Sequence, residues 1–524
     1  IGKKQPMNHH KTKINQKLKD AIENKRLAKK NYEKAIRNQE STDIPDLLNI
    51  YIESQKHLRD TVSFLEAENA ESMFKKIMDT GGVNSKILWN IRRRVCRSNH
   101  EDMFALLDEQ GTKHYTKDDI LEHTARYYEN LYSPKPSENF SEEWLQFVQQ
   151  KVSEYQQNYH FEALDLNSPI TKEEINTAVK QLKNGKSEGP DDIPNEFLKN
   201  SPALTQSLHT IFNNIFKDEN IPQQWLESTM ININKGNANP EMLKNKRGIS
   251  LTSNICKTFE RVLNNRIMKQ LPFSEAQAGG RTGRSSIDQV FTLKEVLKLR
   301  ALQNKTTYCA FIDISKSYDN SWRDIIFKIL WENGICGKIW RVARELSSNI
   351  STQIKTRYGL TRIVQIKNGV RQGGVLSVVE FAKMIDDLHL DLADVDQGVM
   401  FDTIHITCLL LMDDIGLLAE SEEMLQDMLN ATYKFLSKLR LSINITKSKV
   451  VIFNKKKSIY QDFHIGSAVL EQCSQYRYLG EIISDNLQLE KHLNWKKGTL
   501  EGLMSTCLSI VNDRAINKIG YPPY

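Results

Sequence analysis

Residues 406–419 read I-T-C-L-L-L-M-D-D-I-G-L-L-A, in which Asp413 and Asp414 separate two apolar runs. Two polar residues between strand-like runs predict a tight β-hairpin with both carboxylates at its tip. A third aspartate, Asp313, ends another apolar run, Y-C-A-F-I at residues 308–312. Because isolated charges in apolar surroundings are costly, these carboxylates indicate a shared cation, with their oxygens a few ångströms apart. The alternative is that Asp413 and Asp414 form a polar turn and Asp313 begins one.

The composition is that of a globular protein of 524 residues, of which 39% are hydrophobic and 26% charged. This length allows about three domains of ~150 residues each, and the composition excludes disordered and fibrous classes. The net charge of +7 suggests a polyanionic partner. Residues 1–39 contain twelve Lys and Arg against three acidic residues. This excess either follows a phosphate backbone or forms a solvated basic helix.

Cysteine usage and hydropathy indicate the compartment. The seven cysteines show no C-x-x-C spacing, so neither a zinc knuckle nor a disulfide framework is predicted. Cys309 and Cys408 fall in apolar strands, where cysteine behaves as a small hydrophobe. We therefore expect a reducing, intracellular location, in the nucleus or the cytoplasm. No apolar stretch reaches ~18 residues, so no membrane partner is expected. The chain begins with Ile1, which suggests a piece of a longer product.

Two further motifs resemble functional sites, but the residues around them argue against that interpretation. The sequence G-K-S at residues 185–187 resembles the end of a phosphate-binding P-loop, but Lys180 stands where that loop needs glycine and no strand precedes it. Asp386 and Asp387 lie in a stretch whose apolar residues recur every 3.6 positions. That period predicts an amphipathic helix with the pair on its solvated face, away from the other aspartates.

Five sequence strings around the aspartates resemble motifs A to E of reverse transcriptases of non-LTR (LINE-type) retrotransposons. They are F-I-D-I-S-K-S-Y-D at 311–319, G-V-R-Q-G-G-V-L-S at 369–377, L-M-D-D at 411–414, L-S-I-N-I-T-K-S at 441–448 and Y-L-G at 478–480. Three upstream strings are also similar: G-K-S-E-G-P-D at 185–191, K-R-G-I-S-L at 246–251 and Q-A-G-G-R-T-G-R-S at 277–285. The ordered resemblance covers residues 165–485.

The resemblance implies an α+β right-hand polymerase fold. Fingers are expected at 165–300, a palm with an antiparallel sheet at 301–485, and the start of a truncated helical thumb at 486–524. A basic helical region at 1–80 and an N-terminal extension at 81–164 would precede them. The implied activity is RNA-directed DNA polymerisation with two Mg²⁺ ions, Mn²⁺ being an alternative. The implied partners are an RNA template, a DNA primer or target and dNTPs, with no protein partner evident.

The matched motifs also assign roles to individual residues. Asp313, Asp413 and Asp414 would be the catalytic metal carboxylates, since Mg²⁺ takes oxygen ligands. Lys447 would protonate or neutralise the departing pyrophosphate, unless it is a solvated lysine. Tyr318 would lie beneath the sugar and exclude a 2′-hydroxyl, unless it is core.

The remaining assignments concern the nucleotide and the template. Lys235 and Arg247 match the basic pair on the incoming triphosphate, which suits the planar guanidinium fork. Gln372 and Gly373 would let the backbone approach the nucleotide and template. The residues assigned to nucleic acid are Arg281, Arg284 and Arg371, although a solvated turn explains the first two nearly as well.

Several positions depart from the pattern of this family. They are Glu188, Gly280, Thr282, Val378, Lys383, Met384 and Leu411. Because they surround the carboxylates, loose packing and weakened activity are expected. A decayed element that binds RNA or DNA without polymerising remains the main alternative, while Tyr318 disfavours an RNA-templated RNA polymerase.

Overall fold

A computed structural model describes residues 16–38, 46–61, 105–108, 110–134, 140–161, 165–236, 238–393, 398–401, 403–455 and 462–487. The chain forms two compact units, one from Ile1–His100 with Leu493–Tyr524 and one from Glu101–His492. In the first unit the described helices are α1 (Gln16–Asn38) and α2 (46–61). The rings of Tyr32 and Tyr51 stack there with centroids 6.2 Å apart.

The second unit mixes helices with sheets, so the α+β class is confirmed. Its helices are α3 (Lys117–Leu131), α4 (Glu142–Gln156), α5 (Lys172–Lys180), α6 (Asn195–Asn200), α7 (Leu204–Asp218), α8 (Gln223–Leu226), α9 (Asn254–Gln270), α10 (Ser286–Leu302), α11 (Ser317–Asn320), α12 (Arg323–Glu332), α13 (Lys338–Ser347), α14 (Leu376–Asp386), α15 (Leu388–Ala393) and α16 (Glu422–Lys438), with 3₁₀ turns at Asp165–Asn167 and Leu243–Asn245.

A six-stranded sheet carries all three aspartates of the opening motif. Its strands are β5 (Thr307–Asp313), β11 (Cys408–Leu411), β12 (Asp414–Ala419), β13 (Lys449–Phe453), β14 (Phe463–Ile465) and β15 (Ala468–Gln472). Their spatial order is β11-β12-β5-β13-β15-β14. The neighbours are antiparallel, except that β13 and β15 run parallel. The expected antiparallel sheet is therefore present with one parallel pair.

A second sheet of five strands is built from two distant segments. Its strands are β3 (Glu227–Asn234), β4 (Lys246–Leu251), β6 (Ser351–Thr356), β7 (Gly359–Leu360) and β8 (Val364–Gln365). β3 pairs antiparallel with β4 and parallel with β6, and β6 also pairs with β7 and β8. Residues from both predicted ranges, 165–300 and 301–485, thus share this sheet.

Three two-stranded hairpins complete the described strands. They are β1 (Leu106–Leu107) with β2 (Lys113–His114), β9 (Val399–Phe401) with β10 (Ile404–Ile406), and β16 (Gln475–Tyr478) with β17 (Glu481–Ser484). In the part of the chain that the structure describes, no helix is long and apolar enough to cross a membrane.

Both faces of the six-stranded sheet are buried, which explains its near-continuous apolar strands. In β5, Ala310 and Ile312 join one hydrophobic cluster, whereas Cys309 and Phe311 join another. Successive strand residues point to opposite faces, so this alternation assigns one cluster to each face. The Phe311 ring stacks on Tyr476 of the β16–β17 hairpin at 4.5 Å, which covers the second face.

The structure shows the surroundings of the two sequence motifs that resemble functional sites, residues 185–187 and the pair Asp386 and Asp387. Helix α5, not a strand, precedes residues 185–187, so the rejection of a P-loop is confirmed. Asp386 does end a helix, but the prediction of a solvated face is wrong because its side chain is 0% exposed. Its carboxylate accepts hydrogen bonds from the amide and the hydroxyl of Ser274. It also forms an ion pair with Lys383 over 3.0 Å. Helical periodicity alone could not reveal these distant polar partners.

Candidate active site

The predicted hairpin forms, and its tip meets the end of β5. Leu411 pairs with Asp414, so Met412 and Asp413 form the two-residue turn. Met412 has a φ of +59°, a left-handed conformation that tight hairpin turns require. Asp414 lies directly opposite Asp313 in the antiparallel register. The structure therefore brings all three aspartates to one end of the sheet.

A glutamine from outside the sheet holds this turn in place. The Gln277 side chain is fully buried, and its carbonyl oxygen accepts hydrogen bonds from the amides of Gly279 (2.8 Å) and Met412 (3.2 Å). Its amide nitrogen donates to the carbonyl of Ala382. A Cβ at Gly279 would lie 2.6 Å from the Met412 nitrogen, so only glycine permits this approach. The contacts of Gln277 and Gly279 thus hold the Met412–Asp413 turn in this conformation.

Two of the carboxylates have polar partners. The Ser317 hydroxyl donates to Asp413 Oδ2 over 2.8 Å. Lys447 Nζ lies 3.4 Å from Asp313 Oδ2, although its own side chain is 66% exposed. The amide of Asp313 donates to the Ser448 hydroxyl. Segment 447–448 therefore supplies both a cation for Asp313 and a hydrogen-bond partner for its backbone, and the role predicted for Lys447 stays a prediction.

The third carboxylate, Asp414, is held among like charges. Burial, followed by the charges of Asp413 and Asp313, raises the pKa of Asp414 to about 6, while Lys447 opposes this shift. An acid in such surroundings favours a bound cation or a proton, because either relieves the desolvated negative charge. This donor set fits a divalent metal ion.

The expected close convergence of all three carboxylates is not found. Within the described residues, one group of three acidic, histidine or cysteine side chains has all its ligand atoms within 4.8 Å of one another, and it lies elsewhere. Asp413 is directed toward Ser317 and Asp313 toward Lys447. Like charges repel, and each of these two carboxylates has its own polar partner, so the three stay further apart than the sequence predicted.

A cationic group lies beside the carboxylates at the β3–β4 hairpin. Lys235 directly follows β3, and Arg247 is the second residue of β4. Partial burial lowers the pKa of Lys235. The charges of Arg247 and Lys447 lower this pKa further, whereas the charge of Asp319 raises it. These four groups are therefore close enough to interact. Burial raises the pKa of Asp319 to about 6, and the charges of Lys316 and Lys235 oppose this shift, so Asp319 belongs to the same electrostatic cluster.

Tyr318 is half-buried at the start of the short helix α11. Its ring stacks on Phe381 of α14 with centroids 5.0 Å apart. Burial and then the charge of Asp413 raise its pKa. The Tyr318 carbonyl accepts from the amide of Val370 over 2.8 Å. The ring thus lies between motif A and the motif B helix, near Asp413.

Gln372 and Gly373 contact the second sheet. The Ser250 amide in β4 donates to the Gln372 carbonyl over 2.9 Å. Gly373 has a φ of +121°, and a Cβ there would lie 2.9 Å from the Ser250 carbonyl oxygen. The glycine is thus required by the close packing of this segment on β4, the strand that carries Arg247, and the predicted approach to nucleotide and template stays a prediction.

The three arginines assigned to nucleic acid have protein partners. Arg281 and Arg284 both pair with Glu275, and Arg281 also donates to two backbone carbonyls. Arg371 is only 6% exposed and donates to the carbonyl of Trp225. The burial of Arg371 speaks against the contact with nucleic acid predicted for it, because its guanidinium faces the protein interior. The roles of Arg281 and Arg284 stay predictions.

Two departures from the family pattern lie against each other. A Cβ at Gly280 would lie 3.3 Å from the Val378 side chain, so glycine at one position makes room for valine at the other. A third departure, Lys383, forms ion pairs with Asp386 and Asp387. Lys383 is thus buried and paired, in contrast to the loose surroundings expected from the sequence, whereas Val378 is partly exposed.

Sequence reasoning missed four residues that support the site. They are Ser317, Asp319, Gln277 and Glu380. Glu380 is buried near Glu260, Arg323 and Arg371, and burial raises its pKa to about 8. Their only signal was their position inside the motif strings or beside them, because none follows an apolar periodicity.

Comparisons with known proteins point to the same part of the chain as the geometry of the aspartate site. Residues 233–483 match the family described as reverse transcriptase (RNA-dependent DNA polymerase). Over these residues the chain is similar to reverse transcriptases, and relatives of the chain are polymerases of non-LTR retrotransposons. The match contains the whole six-stranded sheet, the second sheet except most of β3, and Asp313, Asp413, Asp414 and Lys447. Members of this family generally use divalent metal ions.

Relatives of this chain come from mobile elements. The chain is 28% identical over 343 residues to the probable RNA-directed DNA polymerase from transposon BS of Drosophila melanogaster, covering 62% of this chain and 37% of that protein. It is 24% identical over 388 residues to the enzyme of mobile element jockey from the same species, covering 71% and 41%. A Popillia japonica Pol polyprotein from retrotransposable element R2 is 24% identical over 326 residues, covering 60% and 44%. The chain spans about two fifths of these relatives.

Proposed function

We propose that the chain is an RNA-directed DNA polymerase that adds deoxynucleotides to a primer 3′-hydroxyl with two divalent ions. The observation that carries this proposal is the register of Asp414 opposite Asp313 beside the Asp413 turn. Three carboxylates at one sheet end, flanked by Lys235, suit metal-assisted phosphoryl chemistry. In this proposal the six-stranded sheet is the palm, and the β3–β4 hairpin belongs to the fingers.

Asp313, Asp413 and Asp414 would hold the metal ions, which when bound would activate the 3′-hydroxyl and stabilise the pyrophosphate. Mg²⁺ is the preferred ion because it takes oxygen ligands and substrate phosphates. The raised pKa of Asp414 supports the assignment, since a buried acid among like charges is stabilised by a cation. Ser317 and Lys447 orient two of the carboxylates in the metal-free protein.

The cations would bind the incoming nucleotide. Lys235 and Arg247 lie on one hairpin beside Asp319 and Lys447. A triphosphate could replace the carboxylate of Asp319 as their partner, with the arginine fork binding two oxygens. Lys447 would then donate a proton to, or neutralise, the leaving pyrophosphate. Tyr318, near Asp413, would limit the space beside the sugar.

The test is primer extension on poly(rA)/oligo(dT) with Mg²⁺. We expect extension by the parent chain and none by Asp413→Asn, because removal of a metal ligand removes transition-state stabilisation. Binding of RNA/DNA should stay nearly intact in the variant, since it rests mainly on phosphate contacts. Asp192→Asn is a matched control on an exposed turn and should extend normally.

Two outcomes would count against the proposal. A parent chain that binds the hybrid but never extends it would favour a decayed element that only binds nucleic acid. Loss of both binding and extension in Asp413→Asn would give Asp413 a structural role instead.

A further inference from the structure

A second cluster of ligating side chains lies outside the proposed active site. Asp108 follows β1, His114 ends β2, and His123 lies in the second turn of α3. One oxygen or ring nitrogen from each of the three lies within 4.8 Å of the others. All three residues are half-buried, so their ligand atoms are sheltered yet reachable by an ion.

The carboxylate and one imidazole are already oriented toward each other. Asp108 Oδ1 accepts hydrogen bonds from the amides of Gln110 (3.0 Å) and Thr112 (2.7 Å). Its second oxygen, Oδ2, is left to face His114 Nε2 at 2.9 Å. Backbone donors on one oxygen fix the carboxylate and leave the other for a ligand, the arrangement that supports metal ligands in proteins.

The second imidazole completes the cluster. The His114 and His123 rings stack with centroids 3.7 Å apart and planes inclined by 26°. The His123 ring therefore lies beside the Asp108–His114 pair, and imidazole nitrogens are common ligands of transition metals.

We propose that Asp108, His114 and His123 bind one divalent transition-metal ion, with Zn²⁺ as the best match. Two imidazole nitrogens with one carboxylate oxygen form a borderline donor set that zinc binds readily and that magnesium disfavours. Three protein ligands leave a fourth position for water. Asp108 and His123 also line a cavity of about 350 Å³ together with Lys244 and Lys316, so a water ligand could enter from there.

The bound ion would join three pieces of structure. It would tie the β1–β2 hairpin to helix α3, because its ligands come from both. The hairpin is in turn attached to Glu241, through the Leu107 amide at 3.0 Å and the Lys113 ammonium at 2.9 Å. Glu241 lies in the connection between β3 and β4, as does Lys235. The ion would therefore stiffen the loop of the β3–β4 hairpin, which carries the proposed triphosphate-binding cations.

The test is metal binding by the purified full chain, without any polymerase assay. Isothermal titration with Zn²⁺ after chelator treatment should give about one tight site per chain, and Co²⁺ should give visible absorption bands of a low-coordinate nitrogen and oxygen site. His114→Gln and His123→Phe should each weaken Zn²⁺ binding by at least about 100-fold, because removal of a direct ligand costs more than loss of an outer partner. Zn²⁺ should also raise the melting temperature of the parent.

The variants are chosen to keep the local packing. His114→Gln can still donate to Asp108, and His123→Phe keeps the stacked ring while removing both nitrogens. His160→Ala, on an exposed position, is the matched control and should bind Zn²⁺ like the parent. Asp413→Asn should also retain the site, which separates it from the proposed catalytic metals.

Three results would overturn the proposal. One is an absence of Zn²⁺ and Co²⁺ binding by the parent chain. Another is unchanged binding in folded His114→Gln and His123→Phe. The third is loss of binding only in His9→Ala/His10→Ala, which would assign the ion to that adjacent histidine pair.

Discussion

The Ser317 hydroxyl donates a hydrogen bond to Asp413 Oδ2 over 2.8 Å. It orients a proposed metal ligand in a buried setting, since Ser317 is only 6% exposed.

Ser317→Ala should raise the Mg²⁺ concentration needed for half-maximal primer extension by about tenfold, because outer hydrogen bonds orient metal ligands. The rate at saturating Mg²⁺ should change little, since the three proposed metal ligands all remain. A Mg²⁺ titration of the extension rate separates the two quantities. Ser315→Ala is the control, as that hydroxyl makes no side-chain hydrogen bond among the described residues. A fall in the saturated rate alone would argue against an orienting role.

Tyr318→Ala should raise ribonucleotide incorporation relative to deoxynucleotide incorporation. The ring lies beside Asp413 and against Phe381, where its removal opens space near the proposed sugar position. Tyr318→Phe keeps the ring and should keep the parent selectivity. Single-nucleotide extension with each sugar measures the ratio. An unchanged ratio in an active Tyr318→Ala protein would mean that the ring is core packing.

Asp414→Asn should stabilise the metal-free fold at pH 8 by about 1 kcal/mol, after allowance for its solvent-exposed part. The pKa of Asp414 is raised from 3.8 to about 6 on folding. The folded state therefore binds the extra proton, and stability falls as the pH rises from about 4 through 6. Asparagine carries no charge and removes this loss.

Denaturant unfolding in EDTA at pH 4 and pH 8 measures this effect. The difference between Asp414→Asn and the parent should vanish at pH 4 and appear at pH 8. Asp192→Asn serves again as the exposed control and should show no such pH dependence. A variant less stable than the parent at pH 8 would show that the charged Asp414 stabilises the fold.

Gly373→Ala should destabilise the fold and slow primer extension. Alanine at φ +121° is strained, and its Cβ would also meet the Ser250 carbonyl at 2.9 Å. Gly359→Ala is a matched control, with φ +127° and nothing within 4 Å of the added Cβ. The control should lose about 1–3 kcal/mol through strain alone, as measured by denaturant unfolding. Equal losses in both variants would show that the contact with β4 is unimportant.

The aspartate hairpin could be predicted from the sequence because its information is local. Apolar runs at residues 308–312 and 406–419 fix the strands, and a two-residue gap fixes the turn between β11 and β12. The opposite placement of Asp414 and Asp313 then follows once the strands pair in register. The sequence could not show that Ser317 is the partner of Asp413 or that Lys447 is the partner of Asp313. Side-chain partners depend on the packed geometry.

Most of the missed features depend on contacts between residues that are far apart in the chain. Asp386 looks solvated by helical period, yet Ser274, 112 residues earlier, supplies its partner. Gln277 has no local pattern, and its role arises from Met412, 135 residues later. Asp108, His114 and His123 lack the spacing of a known metal motif, and the hairpin with helix α3 assembles them. Local periodicity carries none of this information.

The parallel pairing of β3 with β6 affects the order in which the growing chain can fold. Ser228 in β3 donates to the Ser351 carbonyl, 123 residues further along, and β5 of the other sheet is synthesised between them. The nascent chain must therefore carry two incomplete sheets, with β5 still waiting for its neighbours β12 and β13. Unpaired strand edges invite association with other chains. We expect the folding of this protein during synthesis to depend strongly on chaperones. They would shield the unpaired strand edges until residue 453 has left the ribosome.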